Sequence, residues 1–78
     1  MMYTIIKFDG RDKVLQVLDT KSLAMAKLFA LQNTTPKGRT VVTDSETGEV
    51  LYAVHGTGKN SFPKVYNFEE NPRLVIVG

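Results

Sequence analysis

Residues 23 to 31 read Leu-Ala-Met-Ala-Lys-Leu-Phe-Ala-Leu. Wound as an α-helix at about 100° per residue, this run has apolar side chains nearly all round and no broad polar face. A helix resting on a single layer of sheet is covered on one side only. The segment therefore demands a sheet beneath it and a second cover above, supplied either by the chain's own tail or by another molecule. That requirement bears on fold and function together and predicts a small protein that works through contacts.

The chain has 78 residues, which predicts one domain over residues 1–78. A chain of about 60 residues buries only ~60% of the surface it exposes when unfolded, so each large apolar residue counts in a core this thin. Hydrophobic residues make up 42% and charged residues 23%, too apolar for intrinsic disorder. There is no cysteine. That excludes disulfides and thiolate metal sites and fits a reducing, cytoplasmic setting. The start, Met-Met-Tyr-Thr-Ile-Ile-Lys-Phe, lacks the apolar core and cleavage site of a signal peptide, and no apolar run approaches ~18 residues. The reading is a soluble, unexported protein with no membrane role.

The net charge of +2 and the pI near 9.0 are too mild to imply nucleic acid by themselves, but the distribution is uneven. Between Thr20 and Thr43 the only charges are Lys21, Lys27, Lys37 and Arg39, whereas Asp44 to Glu49 carries only acids. One end is basic and one turn is acidic.

Tyr3 to Phe8 and Lys13 to Leu18 flank the turn cluster Asp9-Gly10-Arg11-Asp12 and predict a β-hairpin. Asp19 or Thr20 is positioned to cap the helix that follows, without a full capping box, because Leu23 stands three after Thr20. The helix is expected to end near Asn33, ahead of Pro36 and Gly38. Thr40 to Thr43 and Val50 to His55 flank Asp44-Ser45-Glu46-Thr47-Gly48, a second hairpin in which Gly48 supplies a left-handed conformation. On its later strand Val50, Tyr52 and Val54 share one face and Leu51 and Ala53 the other, so both faces are apolar. Residues 1–55 thus form a β-β-α-β-β core. Residues 56–78 read as an irregular segment anchored by aromatics, followed by a short last strand at Leu74 to Val77. The expected class is α+β, with four to five mainly antiparallel strands on one helix.

No catalytic constellation emerges. His55-Gly56-Thr57-Gly58-Lys59-Asn60 follows a strand as a phosphate loop would, but Ala53 and Asn60 occupy positions that GxxxxGK[ST] reserves for Gly and for Ser or Thr. An ordinary turn explains it better. His55 is the single histidine and has no clustered nitrogen or sulfur ligands around it for a transition metal. Asp9, Asp12, Asp44, Glu46 and Glu49 all lie in or beside turns, where short acids bond local backbone and lack the burial that raises a carboxyl pKa. No metal and no cofactor is expected, and the chain reads as a non-enzyme.

Met25 and Phe29 stand one helical turn apart, on a different side from Leu23, Ala26 and Ala30. With Phe62, Tyr66 and Phe68 they are the candidate partner-binding residues; the competing possibility is that Phe62 to Phe68 folds over that side and completes the core. Lys37, Arg39, Lys59 and Lys64 are candidates for the charged rim of such a surface. With the nearby aromatics they are also the best nucleic-acid candidates, since cations follow phosphates while rings stack on bases. Lys21 and Lys27, about 120° apart on the helix, form no basic stripe. Asp44, Glu46 and Glu49 make an acidic turn able to orient a basic partner, although a plain solvated turn explains them as well.

The first hairpin, the Ser22-Leu23-Ala24-Met25-Ala26 helix start and the hairpin Thr43-Asp44-Ser45-Glu46-Thr47-Gly48-Glu49-Val50-Leu51-Tyr52 together resemble small phage-encoded β-β-α-β-β proteins, among them anti-CRISPR and host-takeover inhibitors. The likeness is one of element order over about the first two thirds of the chain, and it assigns no residue a role. It implies a stoichiometric blocker of a macromolecular partner. The leading expectation is a protein-binding module; a nucleic-acid binder and a homodimeric or higher homo-oligomeric accessory protein are the alternatives.

Overall fold

A computed structural model describes residues 1–58 and 62–69. The elements are β1 (Tyr3–Phe8), β2 (Val14–Thr20), α1 (Leu23–Asn33), β3 (Arg39–Asp44), β4 (Val50–His55) and β5 (Lys64–Asn67). All five strands form one antiparallel sheet in the order β2-β1-β3-β4-β5. The α+β class and the β-β-α-β-β order are as expected. β1 sits between β2 and β3 because both hairpins close locally and the helix then carries the chain across to pair β3 with β1.

One sheet face carries the helix. Ile5, Val42, Tyr52 and Val54 point to it and form a buried cluster with Ala26 and Ala30 of α1, flanked by Tyr3, Leu18, Leu23 and Phe29. The two alanines are fully buried; having only a methyl group, they let the helix backbone lie close to the strands. An isolated helix of this length is marginal in water, so packing of this face rather than intrinsic propensity holds it. Thr40, also fully buried, meets its hydrogen-bonding need at the helix end, where the Thr34 hydroxyl lies 2.8 Å from its own and 2.6 Å from the Ala30 carbonyl.

Two boundaries differ from expectation. Ser22, not Asp19 or Thr20, caps the helix: its hydroxyl oxygen accepts from the Met25 amide at 3.2 Å. Asp19 and Thr20 belong to β2, where Asp19 accepts a hydrogen bond from the Thr4 hydroxyl at 2.8 Å. The segment expected to be irregular after residue 56 contains β5, which pairs with β4 from Tyr52↔Asn67 to His55↔Lys64. Val65 and Tyr66 are β-branched and aromatic, the residue types a pleated edge favours. The expected strand at Leu74 to Val77 lies outside the described residues.

The second hairpin turn forms as read. Gly48 has φ +74°, and the Asp44 carboxylate accepts from the Glu46 and Thr47 amides at 2.8 and 3.3 Å. Register shifts mark two bulges, one opposite Lys7 and Phe8 in β2 and one between Val42 and Thr43 against β4. The first leaves Leu15 without a register partner on β1.

Candidate functional site

The helix repeat places Ala24, Met25, Leu28, Leu31 and Gln32 on the side of α1 turned away from Ala26 and Ala30. Met25, Leu28 and Leu31 are 60%, 46% and 44% exposed. Among the described residues, α1 contacts only β1 to β4, and no element lies over this outer side. The one charge within the helix, Lys27, sits on its flank, where it pairs with Glu69 at 2.9 Å and lies 5.5 Å from the Tyr52 ring centroid. The outer stripe is therefore uncharged and, Gln32 apart, apolar. Leu28 and Leu31 were missed in the sequence reading, although the same spacing that singles out Met25 reaches them at the third and sixth residues beyond it.

The expected partner-binding residues do not form one surface. Phe29 packs against the core cluster: only 40° of helical rotation separate it from Met25, but that rotation brings it to the flank next to the sheet. Phe62 is 95% exposed and does not fold over the helix. Tyr66 faces the opposite side of the sheet from α1, opposite Ala53, with its ring edge-on to His55 at a centroid distance of 5.2 Å. Phe68 follows β5 and donates its amide to the Leu51 carbonyl at 3.0 Å. Of the five, Met25 alone belongs to the outer helix stripe.

The basic candidates gather more closely. Register places Phe8, Arg39, His55 and Lys64 in one row across β1, β3, β4 and β5 on the face away from the helix. Lys37 lines a cleft at that end together with Asp9, Gly10, Asp12, Gly38, Arg39, His55 and Gly56. Lys59 lies outside the described residues. The Arg39 guanidinium sits 4.5 Å from the Phe8 ring centroid, and its Nη2 lies 3.4 Å from Asp12. Burial, helped by the neighbouring Arg39 charge, pushes the His55 imidazole below its ordinary pKa.

The acids have local duties. Backbone amides of Lys13 and Arg11 donate to the Asp9 carboxylate at 2.9 and 2.8 Å and hold its pKa below the usual value. Asp44 is buried and its carboxylate is engaged by its own turn, so of the acidic turn only Glu46 and Glu49 offer exposed side chains. Among the described residues no three metal-binding side chains cluster, and no helix is long and apolar enough to cross a membrane. Compared with protein-family models, curated proteins and solved structures, the chain matches none.

Proposed function

We propose that this protein is a non-enzymatic binding module that docks a protein partner on the outer stripe of α1. The observation that carries this reading is the line Met25, Leu28 and Leu31, half-exposed and without a charge among them. Full burial of a Leu or Met contributes about 1.5–3 kcal/mol, so covering the exposed half of three such side chains is worth a few kcal/mol to an interface. Aliphatic and Met-rich helix faces seat in apolar grooves by this means. The inhibitor-like element order of the chain fits a stoichiometric blocker acting through such a face.

Affinity capture from the native host, followed by reconstitution with the purified partner, tests the reading. Wild type is expected to bind, and a folded Leu28→Asp variant is not. Equal binding by both discards the stripe. Light scattering across concentration checks self-association: a dimer that the Leu28→Asp change converts to monomer would make the partner a second copy of the chain.

A second reading, nucleic-acid binding, is favoured by one observation: Arg39 and Lys64 share a sheet face and a register row with Tyr66 close by. Its signature is affinity falling steeply with salt. A gel shift with no complex at low salt removes it.

A further inference from the structure

Three backbone segments converge on the cleft beside Arg39, and glycines allow them to meet. A Cβ on Gly38 would run into the Phe8 carbonyl, one on Gly56 into the Thr35 and Pro36 carbonyls, and one on Gly10 would lie 3.1 Å from Lys37. Backbone bonds fix the arrangement, from Gly56 to the Gly38 carbonyl at 2.8 Å and from Gly58 to the Pro36 carbonyl at 2.9 Å. The cleft is therefore held by the main chain rather than by mobile side chains.

Within it, the hydrogen bonding of Arg39 is incomplete. The Nε–H and the Nη2 group form one edge of a guanidinium, the fork that takes two oxygens of a single anion. Asp12 occupies only the Nη2 half, at a long 3.4 Å, and is itself 75% exposed. The Nε is buried with no hydrogen-bond partner, a state that costs free energy. Asp12 also carries a positive φ of 62°, uncommon for a residue with a Cβ. A carboxylate held in a left-handed turn thus half-fills a fork built for two oxygens.

We propose that this cleft binds a phosphate group, which seats two oxygens on the Nε–Nη2 edge of Arg39 in place of Asp12. A carboxylate ligand would be exhausted by the fork. A phosphate retains further oxygens for Lys37 and His55, whose side chains also line the cleft. The Phe8 ring, its centroid 4.5 Å from the guanidinium carbon, backs Arg39 at this end of the sheet. The site does not depend on the helix stripe and stands whether or not that stripe docks a protein.

The test is a titration of the full chain with inorganic phosphate at neutral pH, with ionic strength held constant by chloride. It follows the Arg39 Nε–H and the ring signals of the single histidine by NMR. Saturable shifts of both are expected. Arg39→Lys keeps the charge but loses the fork and is expected to weaken binding about tenfold or more. Asp12→Asn, a change in an exposed turn that an asparagine readily adopts, is expected to strengthen it several-fold by removing the competing carboxylate. A parallel titration with a short single-stranded oligonucleotide distinguishes the sources. Tighter binding than inorganic phosphate assigns a polymer backbone, and equal or weaker binding a small phosphate ligand. Shifts that fail to saturate, or histidine shifts that are the same in Arg39→Lys, overturn the proposal; unchanged affinity in Asp12→Asn overturns the displacement on which it is built.

Discussion

The Lys27 ammonium and the Glu69 carboxylate meet at 2.9 Å, which ties the middle of α1 to the turn that follows β5. Since β5 is the last strand of the sheet order, this pair links the helix to that edge through side chains. Both side chains are partly exposed, so water screens the attraction. A double-mutant cycle with Lys27→Ala and Glu69→Ala, followed by urea unfolding, is expected to give a coupling of about 0.2–1 kcal/mol. The coupling should shrink as salt is added. A salt-independent value would mean that the screened charge pair does not make the link.

His55 predicts the pH response near neutrality. Its folded pKa lies below the ordinary 6.5 because burial, and secondarily Arg39, disfavour the imidazolium. Just below 6.5 the unfolded chain therefore holds more protons than the folded one, and stability falls as pH falls. The decline stops once the folded imidazole is itself protonated. Urea midpoints measured across mildly acidic pH should show this slope in the wild type and lose it in His55→Gln.

Two glycines predict opposite causes of instability. At Gly38 an added Cβ meets the Phe8 backbone carbonyl, which cannot move without disturbing the β1–β3 ladder; Gly38→Ala is expected to cost about 1–3 kcal/mol, as overpacking does. At Gly48 nothing lies within 4 Å, and only the φ of +74° resists a side chain. Gly48→Ala should cost about 1–2 kcal/mol through the left-handed backbone alone, and Gly48→Asn less, because asparagine tolerates that region. Thermal unfolding of the three variants distinguishes clash from strain.

Met25 and Phe29 should part company in stability. Met25→Asp lies on the exposed stripe and is expected to change stability by no more than about 0.5 kcal/mol. Phe29→Asp puts a charge against the core cluster and is expected to cost several times more. Circular dichroism with urea unfolding checks both. A destabilised Met25→Asp would show that the stripe is covered at home.

Much of the architecture was legible because it depends on short-range signals. Gly48 and the acids around it marked the second hairpin, and Pro36 with Gly38 marked the end of the helix. Ser22 was overlooked as the cap because Asp19 and Thr20 are equally good cap residues, and only their pairing in β2 removes them from that role. β5 was hidden among Asn, Ser and Pro residues because its four-residue pairing rests on β4, a contact that local composition does not encode. The same holds for the candidate sites. Helical arithmetic reaches Met25, Leu28 and Leu31 without any structure. The cleft at Arg39 arises from residues 9 to 12, 37 to 39 and 55 to 56, which come together only through sheet register.

The outermost position of β2 has a consequence for how this protein behaves when crowded. Val14, Leu15 and Val17 are each about half exposed on a border strand, the kind of rim that can recruit a neighbouring chain and grow into a filament. The extra residue opposite Lys7 and Phe8 breaks the even spacing that such growth needs. That kink opposes polymerisation, and straightening it by deleting Leu15 is expected to promote the growth of fibres.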